Sequence, residues 1–163
     1  MATETYELLA TVDLNSSATT ITFSGISQSY KHLVVSVVPK GTGSQDGRLR
    51  INNDSGGNYD RVGTYASKSQ VGTARVTDQG FFQMGNLSYP DSAHDTSWEL
   101  TFINYSSTTT AKPIVGKLGK NDQGAETGQF AWTNTAAITQ LQFYLSSGSY
   151  AAGTKASIYG IHG

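Results

Sequence analysis

Several short runs of this sequence alternate between apolar and polar residues. In "WELTFIN", Trp98, Leu100 and Phe102 share one face, and Glu99, Thr101 and Ile103 take the other. In "LQFYL", Leu141, Phe143 and Leu145 oppose Gln142 and Tyr144, and in "RLRI" Leu49 and Ile51 oppose Arg48 and Arg50. Successive side chains of a strand point to opposite faces, so each run can put one face in a core and the other in water. That pattern belongs to antiparallel sheets; parallel strands read as continuous apolar runs.

The same reading marks candidate strands at 6–14, 19–23, 31–39, 59–66, 80–85, 113–119, 129–133 and 154–161. "HLVVSVV" is the most apolar and is expected in the middle of a sheet. Between them lie the turn clusters "NSSA", "GTGSQDG", "DSGGN", "YPDSAHD", "NYSSTTT", "GKNDQGAETG" and "SSGSYAAG". Gly, Ser, Asn and Asp supply turn conformations, and Thr, Val, Ile and aromatic residues suit a half-buried pleated surface. Turn signals every 8–12 residues or so predict a sandwich or barrel. The expected fold is all-β: an antiparallel two-sheet sandwich of about ten strands, jelly-roll-like because so many strands fall in one domain. One short segment, "TNTAAIT", has room for a single helical turn. The stretch 67–79 carries Lys68 and Arg75 and reads as a long exposed loop or a hairpin standing off the sandwich.

The chain has 163 residues, enough for one domain with its own core. Residues 1–163 are read as a single unit, with 1–5 as a candidate N-terminal arm. There is no Cys, so neither a disulfide nor a thiolate metal site is available. Net charge is −1 and no basic stripe appears, which argues against a nucleic-acid partner. The polar, acidic start lacks the pattern of a signal peptide. No apolar run approaches the ~20 residues of a spanning helix, so no membrane partner is expected.

Chemical constellations are sparse. His94 lies near Asp91 and Asp95, residue types that hold divalent cations, but their spacing matches no ligand signature and they are also ordinary turn residues. "NNDSGGNYD" offers Asn52, Asn53, Asp54, Asn58 and Asp60, yet lacks the alternating acids and closing Glu of a calcium loop. Its Asn, Asp and Gly are read instead as left-handed turn residues. His32 is expected to be satisfied locally and His162 to be solvated. Glu99 projects from a strand, and Asp122 and Glu126 are placed in a loop. No paired carboxylates, nucleophile elbow, P-loop or dinucleotide motif is present, so the chain is read as a non-enzyme with no cofactor and no catalytic or metal-binding residue. Tyr59, Tyr65, Tyr89, Tyr105, Trp132, Tyr144 and Tyr150 fall near turns or on polar faces. Tyr89 and Trp132 are the candidates for a glycan or an interface, because rigid rings stack on sugars and anchor contacts.

Three blocks resemble a group of small β-sandwich virion proteins of tailed bacteriophages, notably those of cyanobacteria. The first is "ITFSGISQSYKHLVV", with Phe23, Ile26, Gln28 and Tyr30 leading into Leu33-Val34-Val35. The second is the turn Asn52, Asp54, Asn58, Tyr59. The third runs from Ala136-Ala137-Ile138-Thr139 through Gly148-Ser149-Tyr150 and Ala152-Gly153-Thr154 to the closing Tyr159-Gly160-Ile161. Relatives carry Pro where this chain has Ser27, which bears on the rigidity of that turn alone. The resemblance implies a non-enzymatic virion component on the exterior of the capsid, assembled in the host cytoplasm. Members serve as capsid cement or decoration proteins, contacting the major capsid protein, and as tail-fibre domains. For a decoration protein the expected assembly is a homotrimer on a local three-fold, with Ala2, Thr3, Glu4, Thr5, Lys68 and Arg75 as capsid or neighbour contacts. The alternative is a tail-fibre module, partnered by other tail proteins, that binds host surface glycans.

Overall fold

The computed structural model describes residues 5–43, 45–85 and 89–163. Among them are twelve strands: β1 (Tyr6–Asp13), β2 (Thr20–Ser24), β3 (His32–Val38), β4 (Gly47–Ile51), β5 (Tyr59–Ser67), β6 (Val71–Gln79), β7 (Phe82–Gln83), β8 (Thr96–Ile103), β9 (Lys112–Lys120), β10 (Gly124–Trp132), β11 (Gln140–Leu145) and β12 (Lys155–Ile161). An eight-stranded sheet runs β1-β12-β3-β8-β9-β10-β5-β6, and a four-stranded sheet runs β2-β11-β4-β7. Every named pairing is antiparallel.

The two sheets form a sandwich because each brings one apolar face to the other. Trp98, Leu100 and Phe102 of β8, Leu33, Val35 and Val37 of β3, and Leu141, Phe143 and Leu145 of β11 are all buried. Trp98 of the large sheet stacks on Phe143 of the small one at 6.4 Å between ring centres. Phe82 stands edge-on to both Tyr59 and Phe130 at 4.8 and 5.2 Å. The "HLVVSVV" strand is interior, between β12 and β8. The chain's last strand is also interior, held by β1 on one side and β3 on the other.

The strand count exceeds the expected ten for two local reasons. Of the two readings of 67–79 the hairpin is the one that forms, with β6 paired to β5 as the edge strand of the large sheet rather than standing off it, and of its inward positions Gly72, Ala74 and Val76 only the last is large. Residues 124–128, read as turn, extend β10, and Glu126 therefore sits in a strand. "TNTAAIT" forms no helical turn; its backbone is tied down by side chains instead.

Candidate functional site

The polar turn after β4 is built to close one end of the sandwich. Asn52 and Asn53 take the left-handed conformation, with φ of 50° and 57°. Asn52 then reaches across: its Nδ2 donates to Ala137 O at 2.7 Å, and its Oδ1 accepts from the N–H groups of Thr139 and Gln140 at 2.9 and 3.0 Å. Asp54 accepts from Gly56 N at 2.9 Å, Asn58 Nδ2 at 2.8 Å and Trp132 Nε1 at 2.8 Å. Gln28 Nε2 donates to Ile26 O and Ile138 O at 2.7 and 2.9 Å. The oxygen-rich loop thus spends its side chains on the fold.

Trp132 is correspondingly not a surface ring. It is 1% exposed, with the Lys112 ammonium 6.0 Å from its ring centre. Tyr59, Tyr105 and Tyr150 are buried as well. These corrections share a cause: residues near turns are covered when the turns fold back over the sandwich end. Tyr89 stays half-buried, and burial pushes its phenol up.

A second polar cluster links the segment before β8 to the β9–β10 turn. His94 Nδ1 lies 3.1 Å from Asp91 Oδ2, and His94 Nε2 lies 3.1 Å from Asp122 Oδ2. Lys120 Nζ, itself nearly buried, donates to Asp91 Oδ2 at 2.6 Å. Asp95 contributes its carbonyl, which accepts from Asn121 N. Among the described residues, no group of three or more His, Asp or Glu is arranged to hold a metal ion.

Burial alone would raise the Asp91 carboxyl, but the hydrogen bonds from Lys120, His94 and the Ala93 and His94 backbone outweigh it. They hold the group well below the ordinary carboxylate range. Asp54 is lowered for the same reason, through Gly56, Trp132, Asn58 and Asn134. A carboxyl depressed in the folded state adds stability that is full above its unfolded pKa, near 3.9, and is lost as pH falls through the folded value. The urea midpoint is therefore expected to drop once pH goes below about 4. Asp91→Asn should be less stable than the parent by about 2–4 kcal/mol at pH 7, where Lys120 loses its counter-charge, with the gap closing toward about pH 2. A gap that stays constant down to that pH would remove the carboxylate from this role.

The remaining predicted residues are spread out. Thr5 is exposed just before β1, at one edge of the large sheet, and its carbonyl accepts from His162 N. Lys68 is exposed at the tip of the β5–β6 hairpin, and Arg75 is exposed on β6, the opposite edge. Seven strand spacings, roughly 34 Å, separate the two edges, so Thr5 is not brought together with Lys68 and Arg75. Ala2, Thr3 and Glu4 lie outside the described residues. His32 is satisfied locally, accepting from Asn104 N at 3.1 Å. His162, rather than being merely solvated, packs against Tyr30 and lies 3.4 Å from Glu7.

Among the described residues, three more charged side chains are buried besides Lys120, none of them placed in the core by the reading of the sequence. Arg61 and Glu126 pair at 2.6 Å inside the sandwich, and Lys112 is fully buried with its ammonium on the carbonyls of Thr110 and Thr135. A charged residue at an inward strand position was the available signal.

Neither a family model nor a curated protein matches this sequence. Solved structures with some likeness include galectin LEC-6 of Caenorhabditis elegans, at 9% identity over 97% of this chain and 98% of that one, with a TM-score of 0.37. A tetrameric galectin from the ball sponge Cinachyrella sp. aligns at 10% identity over 88% and 99%, with a TM-score of 0.38. CG-16, a homodimeric agglutinin from chicken liver, aligns at 9% identity over 85% and 99%, with a TM-score of 0.37. At such scores nothing of those proteins' binding carries over to this chain.

Proposed function

We propose that this chain is a non-enzymatic structural protein of a tailed-bacteriophage virion, a decoration protein on the outer surface of the head that stabilises contacts between capsomers. Its partners are then the major capsid protein and further copies of itself, on a jelly-roll-like frame. One observation supports the reading. The residues that resemble the virion group are the joints of the fold: Gln28 and Asn52 both fasten onto the 137–140 backbone, and Asp54 fastens Trp132. The ring of Tyr30 fills the space over Gly160, where any Cβ would come within 2.4 Å of it. What is shared is a frame whose parts hold one another, which is what a rigid surface block needs. Each contact of such a block with the shell can be weak, because a repeating lattice multiplies it.

The glycan-binding alternative loses its leading ring, since Trp132 is enclosed. The test is the copy number of this chain in purified particles, by quantitative mass spectrometry against the major capsid protein. A ratio of the same order as the shell subunit is expected. A ratio one or two orders lower would assign the chain to the tail, and its absence from the particle would overturn the virion reading.

A further inference from the structure

The outer faces of the two sheets differ. Outward positions of the small sheet are mainly polar, Thr20, Thr22 and Ser24 on β2, Gln140 and Gln142 on β11, Arg48 and Arg50 on β4, and an aromatic patch, Tyr144 with Phe81, lies under the two arginines. On the large sheet, directly paired residues share a face, so the register can be followed across it. One row runs Leu8, Tyr159, Val34, Thr101, Val115. It continues through Gln129 to Val62. The next row runs Tyr6, Ile161, His32, Ile103 and continues with Pro113 and Ala131. These two adjacent rows make a mainly apolar ribbon across the sheet, which ends on Arg75 and Asp60 at the β5–β6 edge. Tyr6, Leu8, Val62 and Val115 are 56%, 54%, 52% and 46% exposed. The row on the ribbon's other side turns polar, Ser157, Ser36, Glu99, Lys117, Thr127, Thr64, and a fourth row is mixed, with Asp13 and Lys155 at one end and Ser97, Gly119, Ala125, Ala66 and Val71 toward the other.

We infer that this face is the contact between two copies of the chain, packed sheet against sheet. The inference is independent of the virion reading. Eight strands at ~4.8 Å and same-face rows at ~6.7 Å give the ribbon about 500 Å² and the four-row face about 1,000 Å². A stable interface needs about 800 Å² from each partner, apolar at its centre and polar at its rim. The charges favour a second copy over a partner of one sign. Asp13, Glu99 and Asp60 face outward with Lys155, Lys117 and Arg75, so the face is neutral. Two of these pairs already meet, Lys155–Asp13 at 3.2 Å and Lys117–Glu99 at 3.6 Å. Laid on its own image, such a face brings up no surplus of like charge. A two-fold axis parallel to the strands, between β8 and β9, places ribbon on ribbon and polar row on polar row over the whole face, with Glu99 of one copy opposite Lys117 of the other. One self-complementary face closes as a dimer, so a two-fold replaces the expected three-fold.

The test is the mass of the full chain by light scattering after gel filtration, at about 50 μM, where an interface of micromolar affinity is filled. The parent is expected at twice the monomer mass. Val115→Arg, with a charge at the ribbon's centre, should be monomeric, its dissociation constant raised roughly 100-fold or more. Thr22→Arg, on the small sheet's polar face, should remain dimeric. Circular dichroism of both should match the parent; if Val115→Arg fails that check, Val62→Arg takes its place. A monomeric parent, a trimer, or an oligomer that Val115→Arg leaves intact would each overturn the inference.

Discussion

Glu126→Ala is expected to cost about 3–5 kcal/mol of folding stability and to lower the melting temperature by roughly 10 °C. Glu126 Oε2 and Arg61 Nη2 are 2.6 Å apart, and their side chains are 2% and 5% exposed. Arg61 stands in the cross-strand row of Phe130, and Glu126 in that of Tyr65. The row between them is Gly128 paired with Gly63, which contribute no side chain, so the guanidinium and the carboxylate meet across that lane. Removing the carboxylate leaves a guanidinium against Gln83 O at 3.5 Å and the Phe130 ring at 5.7 Å. An uncompensated buried charge is far more costly than the pair is beneficial. The double variant Arg61→Met/Glu126→Leu should therefore recover part of the loss, although it removes more polar atoms. Urea unfolding of the three proteins decides this. A loss under about 1 kcal/mol for Glu126→Ala would mean that water reaches the pair and behaves as it does at a surface.

That pair also explains where the sequence was hard to read. Alternation located β4, β8 and β11 because large apolar side chains occupy their inward positions, such as Trp98, Leu100 and Phe102, and β3 stood out as the most apolar run. It stopped short on β10, whose inward positions before Phe130 are Gly124, Glu126 and Gly128. The period is intact there, but the core-facing residues are a charge and two glycines. Gly124 shows how strict that path is: with φ of +152°, a Cβ there would lie 2.0 Å from Ala66 O. The same masking left β6 open between loop and hairpin, because Gly72 and Ala74 face in and only Val76 adds a large apolar side chain. The outer face posed the opposite problem. Val34, Val62 and Val115 are apolar yet point out, and no window of one strand reveals a ribbon that exists only across strands. The turn at 52–60 was legible in part: Asn52 and Asn53 are left-handed, whereas its Asp and Gly residues are not, and its long-range anchors to 137–140 left no local trace.

Trp132→Ala is expected to destabilise the protein by about 3–5 kcal/mol, and Trp132→Phe by about 1.5–3 kcal/mol. The ring is 1% exposed, so truncation opens a cavity that the flanking strands can only partly close. Phe restores most of the volume but not the Nε1–H that Asp54 Oδ2 accepts at 2.8 Å. That bond links β10 to the Asp54 turn, and Asn58 and Gly56 lean on the same carboxylate. The order parent, Phe, Ala is thus set by two separable losses, first a charge-assisted hydrogen bond and then packing. The two tryptophans, Trp98 and Trp132, are both buried, so fluorescence of the Phe variant reports Trp98 alone and shows whether the rest of the core stays closed. A ring that contacted a sugar would behave otherwise: Trp132→Ala would fold as well as the parent and lose only its affinity for polysaccharide. Equal melting temperatures for the parent and Trp132→Ala would return the residue to the surface, and with it the glycan reading.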